Sequence, residues 1–351
     1  MEGIQMNGIK SFPKKYWIYL LFFLTFLILL TAHSVHFGPR YVYRFFGYLW
    51  LEKYESRLTK QQIEVIQKSI QGLKAKIVWS SSRTGNHEIF LLTLPDLKMY
   101  QITHNKQVDF FPRFSPDGEK LVFCHSQRPW VSERELDPWD VYLFSLAGNR
   151  ESLLIRDANW PQWISNVRIS FVRKNKIMVK DLETGKEEII LDGTQDPVSA
   201  EIGTPEFSPQ DQNWVAFSPR GKMDGVFVLD RVKNRFFKFG QGCEITWLPP
   251  GREVIWVETG GNGGTQILKS PITPIQPTLF MDLPGKYSHE YFPRLSVDGK
   301  WLVWAASAEG HEHDIADYEI FIWKVGTPFN QAIRLTYNAA NDRWPDIFLQ
   351  N

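Results

Sequence analysis

The sequence predicts an all-β fold, a six-bladed β-propeller, on three observations. A strand pattern recurs every 40 to 52 residues, each repeat holds four short strand patterns, and the two ends of the array complete each other. A period of this length is typical of one four-stranded propeller blade and is too long for most helical solenoids. The clearest copy is FPRFSPDG, from Phe111 to Gly118.

The first strand of each repeat contains an anchor residue, followed by proline in five copies and by isoleucine in one. The six anchors are Phe111-Pro112, Trp160-Pro161, Thr204-Pro205, Glu244-Ile245, Phe292-Pro293 and Trp344-Pro345. A large apolar residue comes two positions after each of these prolines or the isoleucine. Because the first strand of a propeller blade lines the central channel, we expect a channel surrounded mainly by proline and aromatic residues.

Three further strand patterns follow each anchor. In the first full repeat they are Leu121–Phe123, Val141-Tyr142 and Leu153–Ile155, and the other repeats have their counterparts. Short β-branched or aromatic runs separated by Gly, Pro, Asn and Asp indicate strands, and no helical pattern alternates with them.

The ends of the array are incomplete in complementary ways. A unit that begins at Lys76 has strands two to four only. The last anchor belongs to a single strand, from Arg343 to Leu349, which no further strand follows. If that strand becomes the inner strand of the first unit, the ring closes without unpaired edges. The alternative is an open array of β-meanders with an incomplete sheet at each end.

The N-terminal residues predict a tail at 1–15 and a transmembrane anchor at 16–37. No charged residue occurs from Tyr16 to Pro39, which allows the segment to span a bilayer. A cleaved signal peptide is the alternative, but the apolar core is long and is followed by a poor cleavage site. Three lysines precede the span and two arginines follow it, which favours a cytoplasmic N-terminus in the inner membrane and a periplasmic or extracellular propeller.

Residues 38–75 predict an interfacial segment and a helical linker. Aromatic side chains suited to the lipid headgroup boundary are Tyr41, Tyr43, Phe45, Phe46, Tyr48 and Trp50. The bilayer or another membrane protein is therefore an expected partner. Thr59 and Gln62 predict a helix with a capping box. Its apolar stripe, which includes Ile66 and Ile70, packs either on the propeller or on a partner helix.

Composition restricts the class of function. A hydrophobic fraction of 43% and 14 tryptophans allow a large core, so one propeller and an anchor account for 351 residues. The formal charge is +1 and no basic run occurs in the propeller, which argues against nucleic acid as a partner. Cys124 and Cys243 fall three blades apart, too far to form a disulfide.

The longest connections are predicted on one face of the ring. Fourth-to-first and second-to-third connections share that face, and they include the insertions at 125–138, 192–203, 259–265 and 307–317. Long loops on a rigid scaffold are where recognition usually resides. Arg128, Trp130 and Trp139 are residue types that dominate protein interfaces, so we predict that they bind a protein. For Trp139 the alternative is packing between blades.

No cofactor is predicted. The loop with His311, His313 and Asp314, together with Asp317, offers ligands for a divalent metal, although adjacent loop residues more often just solvate. The sequence has no Gly-x-Ser-x-Gly elbow, phosphate-binding Gly-rich helix start or His-Glu-x-x-His. We therefore expect no enzyme. The alternative is a metal-dependent hydrolase or lyase, which needs clustered polar side chains at the channel mouth.

The repeat resembles that of TolB-type propellers, which have WD-like repeats. The resemblance rests on the turn Ser115–Gly118, the segment Ser81–Phe90 and two copies of [Ile/Leu]-Thr-x-Asn-x3-Asp-x2-Pro, which run from Ile102 to Pro112 and from Leu335 to Pro345. It covers residues 76–351, the predicted propeller.

This resemblance implies a six-bladed fold and extracytoplasmic protein binding. Residues 1–75 leave no room for the N-terminal α/β domain of that family. We therefore expect a membrane-anchored, extracytoplasmic protein-binding scaffold, such as an accessory or assembly subunit of an envelope or membrane complex.

Overall fold

The computed structural model describes residues 22–26, 58–70, 72–308, 310 and 312–350. The chain divides into two compact units, Met1–Leu51 and Glu52–Asn351. In the first unit residues 22–26 are helical. No helix formed by the described residues has both the length and the hydropathy that a membrane span needs. The predicted tail, the remainder of the predicted anchor and the six aromatic interfacial residues lie outside the described residues.

The predicted linker helix is present as α1 (Lys60–Ser69). Its capping box is confirmed: the Thr59 side chain accepts from the Gln62 backbone, and the Gln62 side chain accepts from the Thr59 backbone. Ile66 and Ile70 are fully buried within the main core of the propeller. The apolar stripe therefore packs against the propeller itself, one of its two predicted roles.

After α1 the described residues form twenty-four strands and one short 3-10 helix, which turns and loops connect. In chain order the strands are β1 (Ala75–Ser81), β2 (Glu88–Leu94), β3 (Lys98–Gln101), β4 (Asp109–Phe114), β5 (Lys120–Ser126), β6 (Trp139–Ser145), β7 (Arg150–Ile155), β8 (Asn159–Ser165), β9 (Arg168–Arg173), β10 (Lys176–Asp181), β11 (Glu187–Asp192) and β12 (Ala200–Phe207). They continue as β13 (Trp214–Gly221), β14 (Val226–Asp230), β15 (Arg235–Gly240), β16 (Cys243–Leu248), β17 (Glu253–Gly260), β18 (Gly264–Pro271), β19 (Thr278–Met281), β20 (His289–Leu295), β21 (Trp301–Ser307), β22 (Tyr318–Lys324), β23 (Ile333–Arg334) and β24 (Asp342–Leu349), with the 3-10 helix at Phe329–Gln331.

The strands form six four-stranded antiparallel sheets, which confirms the predicted propeller. Blade 1 is β24-β1-β2-β3, and blades 2 to 6 take the following strands four at a time. The C-terminal strand closes the ring as predicted, with Ile347 of β24 opposite Ile77 of β1 and Leu349 opposite Ala75.

Each anchor marks a β-bulge in the inner strand of its blade. All six anchor residues have a positive φ, between 44° and 59°, and the register between inner and second strand shifts at each of them. A non-glycine residue in this region costs on the order of 1 to 3 kcal/mol and persists only where its surroundings fix it. The repeat in the sequence therefore records a bulge that turns each inner strand at the same level of the channel.

The Thr-x-Asn motif has the same role in both of its copies. Asn105 donates its side-chain amide to Asp109, and Asn338 donates in the same way to Asp342. These contacts fix the corner at which an outer strand leads into the next inner strand. The motif is therefore structural.

Candidate functional site

The long loops lie on one face, which we call the loop face. They connect β5 to β6 (residues 127–138), β11 to β12 (193–199) and β21 to β22 (308–317). The predicted insertion at 259–265 is wrong, because β17 and β18 extend to Gly260 and Gly264 and leave a three-residue turn. Glycine allows this turn, since φ is positive at Gly260, Gly261 and Gly264.

A layer of four anchor side chains packs across the central channel. The ring centroids of Phe292 and Trp344 are 4.2 Å apart, those of Phe111 and Trp160 are 4.9 Å apart, and those of Trp160 and Trp344 are 5.3 Å apart. Aromatic rings at these distances are in direct contact. The aromatic layer therefore fills the channel at the level of the bulges.

Beyond this layer, away from the loop face, the channel has a polar ring. Its members are the residues that follow the prolines or Ile245, namely Arg113, Gln162, Glu206, Thr246, Arg294 and Asp346. Arg294 pairs with Glu206 at 2.8 Å and with Asp346 at 3.5 Å. Burial and the nearby Arg294 lower the pKa of Arg113 to about 9.

The expectation of a channel surrounded mainly by proline and aromatic residues was therefore incomplete. A signal for the polar ring is present in the sequence, because the residue after each proline, and after Ile245, is polar in all six copies.

On the loop-face side, the aromatic layer forms the floor of a cavity of about 80 Å³, which we call the mouth cavity. Its lining combines inner-strand residues with two long loops: Glu133, Arg134, Leu136, Trp160, Glu201, Gly203, Thr204, Ser218, Arg220, Cys243, Glu244, His313 and Trp344. The cavity is the opening of the central channel. Polar side chains cluster there, which the enzyme alternative requires.

A buried hydrogen bond joins the two loops beside the cavity. His313 Nδ1 donates to Glu133 Oε1, while Glu133 Oε2 accepts from Trp344 Nε1 at 2.6 Å and lies 3.1 Å from Arg343 Nη1. Burial alone would raise the pKa of Glu133, but the charges of Arg343 and His313 lower it to about 2. The Glu133 carboxylate is therefore ionised.

The neighbouring residues, Ser132 before Glu133 and Asp314 after His313, add a second contact between the two loops. Ser132 donates its hydroxyl to Asp314, whose other carboxylate oxygen lies 3.3 Å from Arg343 Nη1. The same Arg343 nitrogen donates to the carbonyl oxygen of His313 at 2.6 Å. We call Ser132, Glu133, His313, Asp314 and Arg343 the loop latch. Sequence reasoning missed Glu133 and Arg343, because their partners are remote in the chain.

Glu244 is the second carboxyl group in the mouth cavity. Its Oε2 accepts from the backbone N–H of Phe292, and its Oε1 lies 3.7 Å from His313 Nε2, which is longer than a hydrogen bond. Burial, with the negative charge of Glu133 in addition, raises the pKa of Glu244 well above its usual range. Burial therefore disfavours the ionised form of Glu244, whereas the neighbouring Glu133 is held in its ionised form.

The structure separates the three residues predicted to bind a protein. The side chain of Arg128 is 56% exposed and pairs with Glu135, and Trp130 is 39% exposed. Trp139, by contrast, is fully buried and packs against Phe110 with ring centroids 4.6 Å apart. Trp139 is therefore an interior residue rather than an exposed one, and this contact lies within blade 2 rather than between blades.

The predicted metal ligands do not come together in the described residues. His313 and Asp314 belong to the loop latch, Asp317 is exposed, and His311 lies outside the described residues. Among the residues the structure describes, no group of three or more His, Cys, Asp or Glu side chains has an arrangement that could hold a metal ion.

These features define a six-bladed β-propeller that its C-terminal strand closes. The fold is similar to TolB from Acinetobacter baumannii, with 13% identity and a TM-score of 0.55 over 80% of this chain and 69% of that chain. Putative TolB from Agrobacterium tumefaciens has 14% identity and a TM-score of 0.55 over 80% of this chain and 99% of that one. The propeller fold is thus similar to that of TolB proteins.

Other comparisons add less. An oligogalacturonate lyase from Vibrio parahaemolyticus aligns with 18% identity and a TM-score of 0.46 over 74% of each chain. No protein-family model and no curated protein matches the sequence.

Proposed function

We propose that the protein is a membrane-anchored, extracytoplasmic protein-binding scaffold, an accessory or assembly subunit of an envelope or membrane complex, and that its partner docks on the loop face. One observation carries the proposal: the loop latch holds together two long loops that both expose apolar side chains. A preorganised surface loses less conformational entropy on binding than flexible loops do.

The exposed residues on the latched loops resemble a protein interface. Trp130, Leu136 and Ile315 are 37% to 39% exposed. The same loops carry two ion pairs, between Arg128 and Glu135 and between Arg134 and Glu312. An apolar centre with a charged rim is the usual anatomy of an interface, and tryptophan is enriched among its hot spots.

The chain enters the propeller away from the loop face, which is consistent with a partner docking there. Helix α1 leads into β1 on the face of the ring opposite the loop face, where the short turns lie. On that face Gln67 donates its side-chain amide to the carbonyl oxygen of Pro95 at 3.4 Å. The chain therefore enters the propeller on the face opposite the loop face. The exposed side chains of Phe22, Phe23 and Phe26 provide apolar surface suited to a bilayer.

Site-specific photo-crosslinking tests the docking surface. A photoreactive phenylalanine would replace Trp130 or Ile315 in the full chain in its native membrane. Val297 and Val232, which are 80% and 73% exposed in short turns of the opposite face, provide matched controls. We expect one discrete adduct from the loop-face positions only. Equal crosslinking from both faces, or from neither, would contradict the proposal.

Fractionation tests the anchor. We expect the full chain to stay in the membrane through high-salt and carbonate washes and to be digested by protease only from the extracytoplasmic side. Recovery of a soluble protein whose N-terminus lies near His33 would identify residues 1–32 as a cleaved signal peptide instead.

The alternative of a metal-dependent hydrolase or lyase at the channel mouth gains support from one observation. Glu133 and Glu244 flank the His313 imidazole in the mouth cavity. Assays on ester, phosphoester and polysaccharide substrates, with and without manganese, would distinguish the two. Turnover that Glu244→Gln abolishes would favour the enzyme, whereas the scaffold requires no turnover.

A further inference from the structure

Four residues in the wall of the mouth cavity have buried polar atoms without hydrogen-bond partners. Within the part of the chain that the structure describes, these atoms are Trp160 Nε1, Thr204 Oγ1, Ser218 Oγ and Glu244 Oε1. Each residue is more than nine-tenths buried. Buried polar groups in native proteins nearly always have a partner, so such a cluster calls for one from outside the chain.

All four of these atoms can donate a hydrogen bond. The indole N–H of Trp160 can only donate, and the hydroxyls of Thr204 and Ser218 can donate or accept. In Glu244, Oε2 already accepts from Phe292, so a proton on this carboxyl group, which burial favours, would lie on Oε1. The missing partner must therefore supply acceptors.

A cation stands at the rim of the same wall. In the β12–β13 pair Arg220 is opposite Glu201 and Ser218 is opposite Gly203, which places these residues on one face of the sheet. Among the described residues, Arg220 makes no ion pair within 4 Å. Gly203 adds no side chain, which leaves space beside Ser218.

The other charged groups around the cavity do not replace this missing acceptor. Glu133 is already paired with His313 and Arg343, and Arg134 with Glu312. Glu201 lies at the rim and is exposed as a whole residue. Partial desolvation of its carboxyl group raises its pKa in spite of the nearby charge of Arg220.

We infer that the mouth cavity binds the carboxylate of a small organic acid, through the Ser218 and Thr204 hydroxyls, Trp160 Nε1, the Glu244 carboxyl and the Arg220 guanidinium. A carboxylate offers two oxygens with about four acceptor sites and pairs well with arginine. The cavity of about 80 Å³ limits the acid to a few carbon atoms. This site goes beyond the proposed docking function, which needs no small ligand.

Water is the competing occupant. A buried water makes about three hydrogen bonds, and the polar atoms of this wall could hold ordered water in the same space. Water and a carboxylate differ in that only the carboxylate binds saturably and selects for negative charge.

Calorimetry and saturation-transfer NMR on the full chain in detergent, with acetate and succinate as probes and acetamide as the uncharged control, test the inference. We expect saturable binding of at least one acid and none of acetamide. Arg220→Gln at the exposed rim and Ser218→Ala should each weaken it at least tenfold. Glu244→Gln, which keeps a donor, should retain it.

Arg150→Gln is the matched control, because Arg150 is equally exposed but lies on the outer strand β7. It should bind like the parent. The inference is overturned if neither acid binds saturably, if acetamide binds as well as acetate, or if Arg220→Gln and Arg150→Gln behave alike. Water alone in the cavity would give the first of these results.

Discussion

Glu133 and His313 are 180 residues apart in the sequence, yet their side chains form a buried hydrogen bond that joins two loops of the propeller. The Glu133 side chain is 3% exposed and also contacts Arg343 and Trp344 of the closing strand. Ring closure and the shape of the loop face therefore depend on the same contacts.

Replacing Glu133 should therefore destabilise the protein strongly. Glu133→Gln removes the carboxylate that bonds to His313 and Trp344 and leaves Asp314 as the nearest counter-charge of the buried Arg343. Breaking one partner of a buried pair costs about 3 to 5 kcal/mol. Urea unfolding at pH 7 would measure this loss. Glu312→Gln, which removes an exposed pair with Arg134 at 3.3 Å, should cost less than about 1 kcal/mol. Equal effects of both substitutions would contradict the latch.

The contribution of the Glu133 carboxylate to the free energy of unfolding should fall as the pH is lowered. The folded pKa of Glu133 is about 2, below its ordinary value of 4.5. A lowered carboxyl pKa stabilises the folded state above the unfolded pKa, and this stability is lost as pH falls through the folded one. The stability difference between parent and Glu133→Gln should therefore shrink from pH 5 towards pH 2, as unfolding curves would show.

A second pH dependence should come from His125 and have the opposite direction. Burial alone would lower the pKa of His125, but its 2.7 Å hydrogen bond to Asp109 raises it above 6.5. This stabilisation is complete below pH 6.5 and is lost as pH rises through the folded pKa. Melting curves of His125→Gln should therefore lack the fall in stability that the parent shows as pH rises above 6.5.

Blade 1 supplies the control for this measurement. Asp342, which is equivalent to Asp109, pairs at 2.8 Å with Arg83 in place of a histidine. Arg83→Gln should lower stability without changing the pH profile between 6 and 9. If His125→Gln leaves the profile unchanged, the Asp109 pair is not its source.

Two glycines in equivalent turns should respond differently to alanine. Gly118 and Gly299 have φ of 69° and 67°, so alanine adds similar backbone strain at both. A Cβ at Gly118 would lie 2.3 Å from the Phe348 ring, whereas at Gly299 its nearest neighbour would be 3.5 Å away. Gly118→Ala should therefore cost about 1 to 3 kcal/mol more, as urea unfolding would show. Equal costs would mean that Phe348 moves aside freely.

Most of the fold could be predicted from the sequence, because its period is local. Anchors such as Phe111-Pro112 recur at a blade-length spacing, and the bulge needs the same backbone geometry each time. The strand that begins at Arg343 carries the same anchor pattern, and its predicted closure of the ring is confirmed. The turn at Gly261 was mistaken for a long loop, since glycines hide the continued pairing of β17 with β18.

Less of the candidate site could be predicted, because it depends on contacts between remote segments. Arg128 and Trp130 were expected on the surface and are exposed, but the residue type of Trp139 could not reveal that it fills the interior. The His313 loop suggested metal ligands, yet its imidazole pairs with Glu133, a residue in another loop. Sequence spacing gives no information about such a pair.

Removing the closing strand should open the ring. Deletion of residues 343–351 removes the partner of β1, the Trp344 ring from the aromatic layer and Arg343 from the loop latch. The exposed edge strands should aggregate or unfold cooperatively at a much lower temperature. Calorimetry and size-exclusion chromatography would check this. A truncated chain that melts like the parent would exclude closure by β24.

The most direct test of the scaffold is the affinity of the crosslinked partner for loop-face variants. Trp130→Ala, with Arg128→Ala as a second variant, should weaken binding by about 1 to 3 kcal/mol, or about 5- to 150-fold in Kd, without lowering the melting temperature. Val297→Ala and Asn149→Ala, on the opposite face, should leave Kd unchanged. Calorimetric titration that gives the same Kd for Trp130→Ala and Val297→Ala would contradict docking on the loop face.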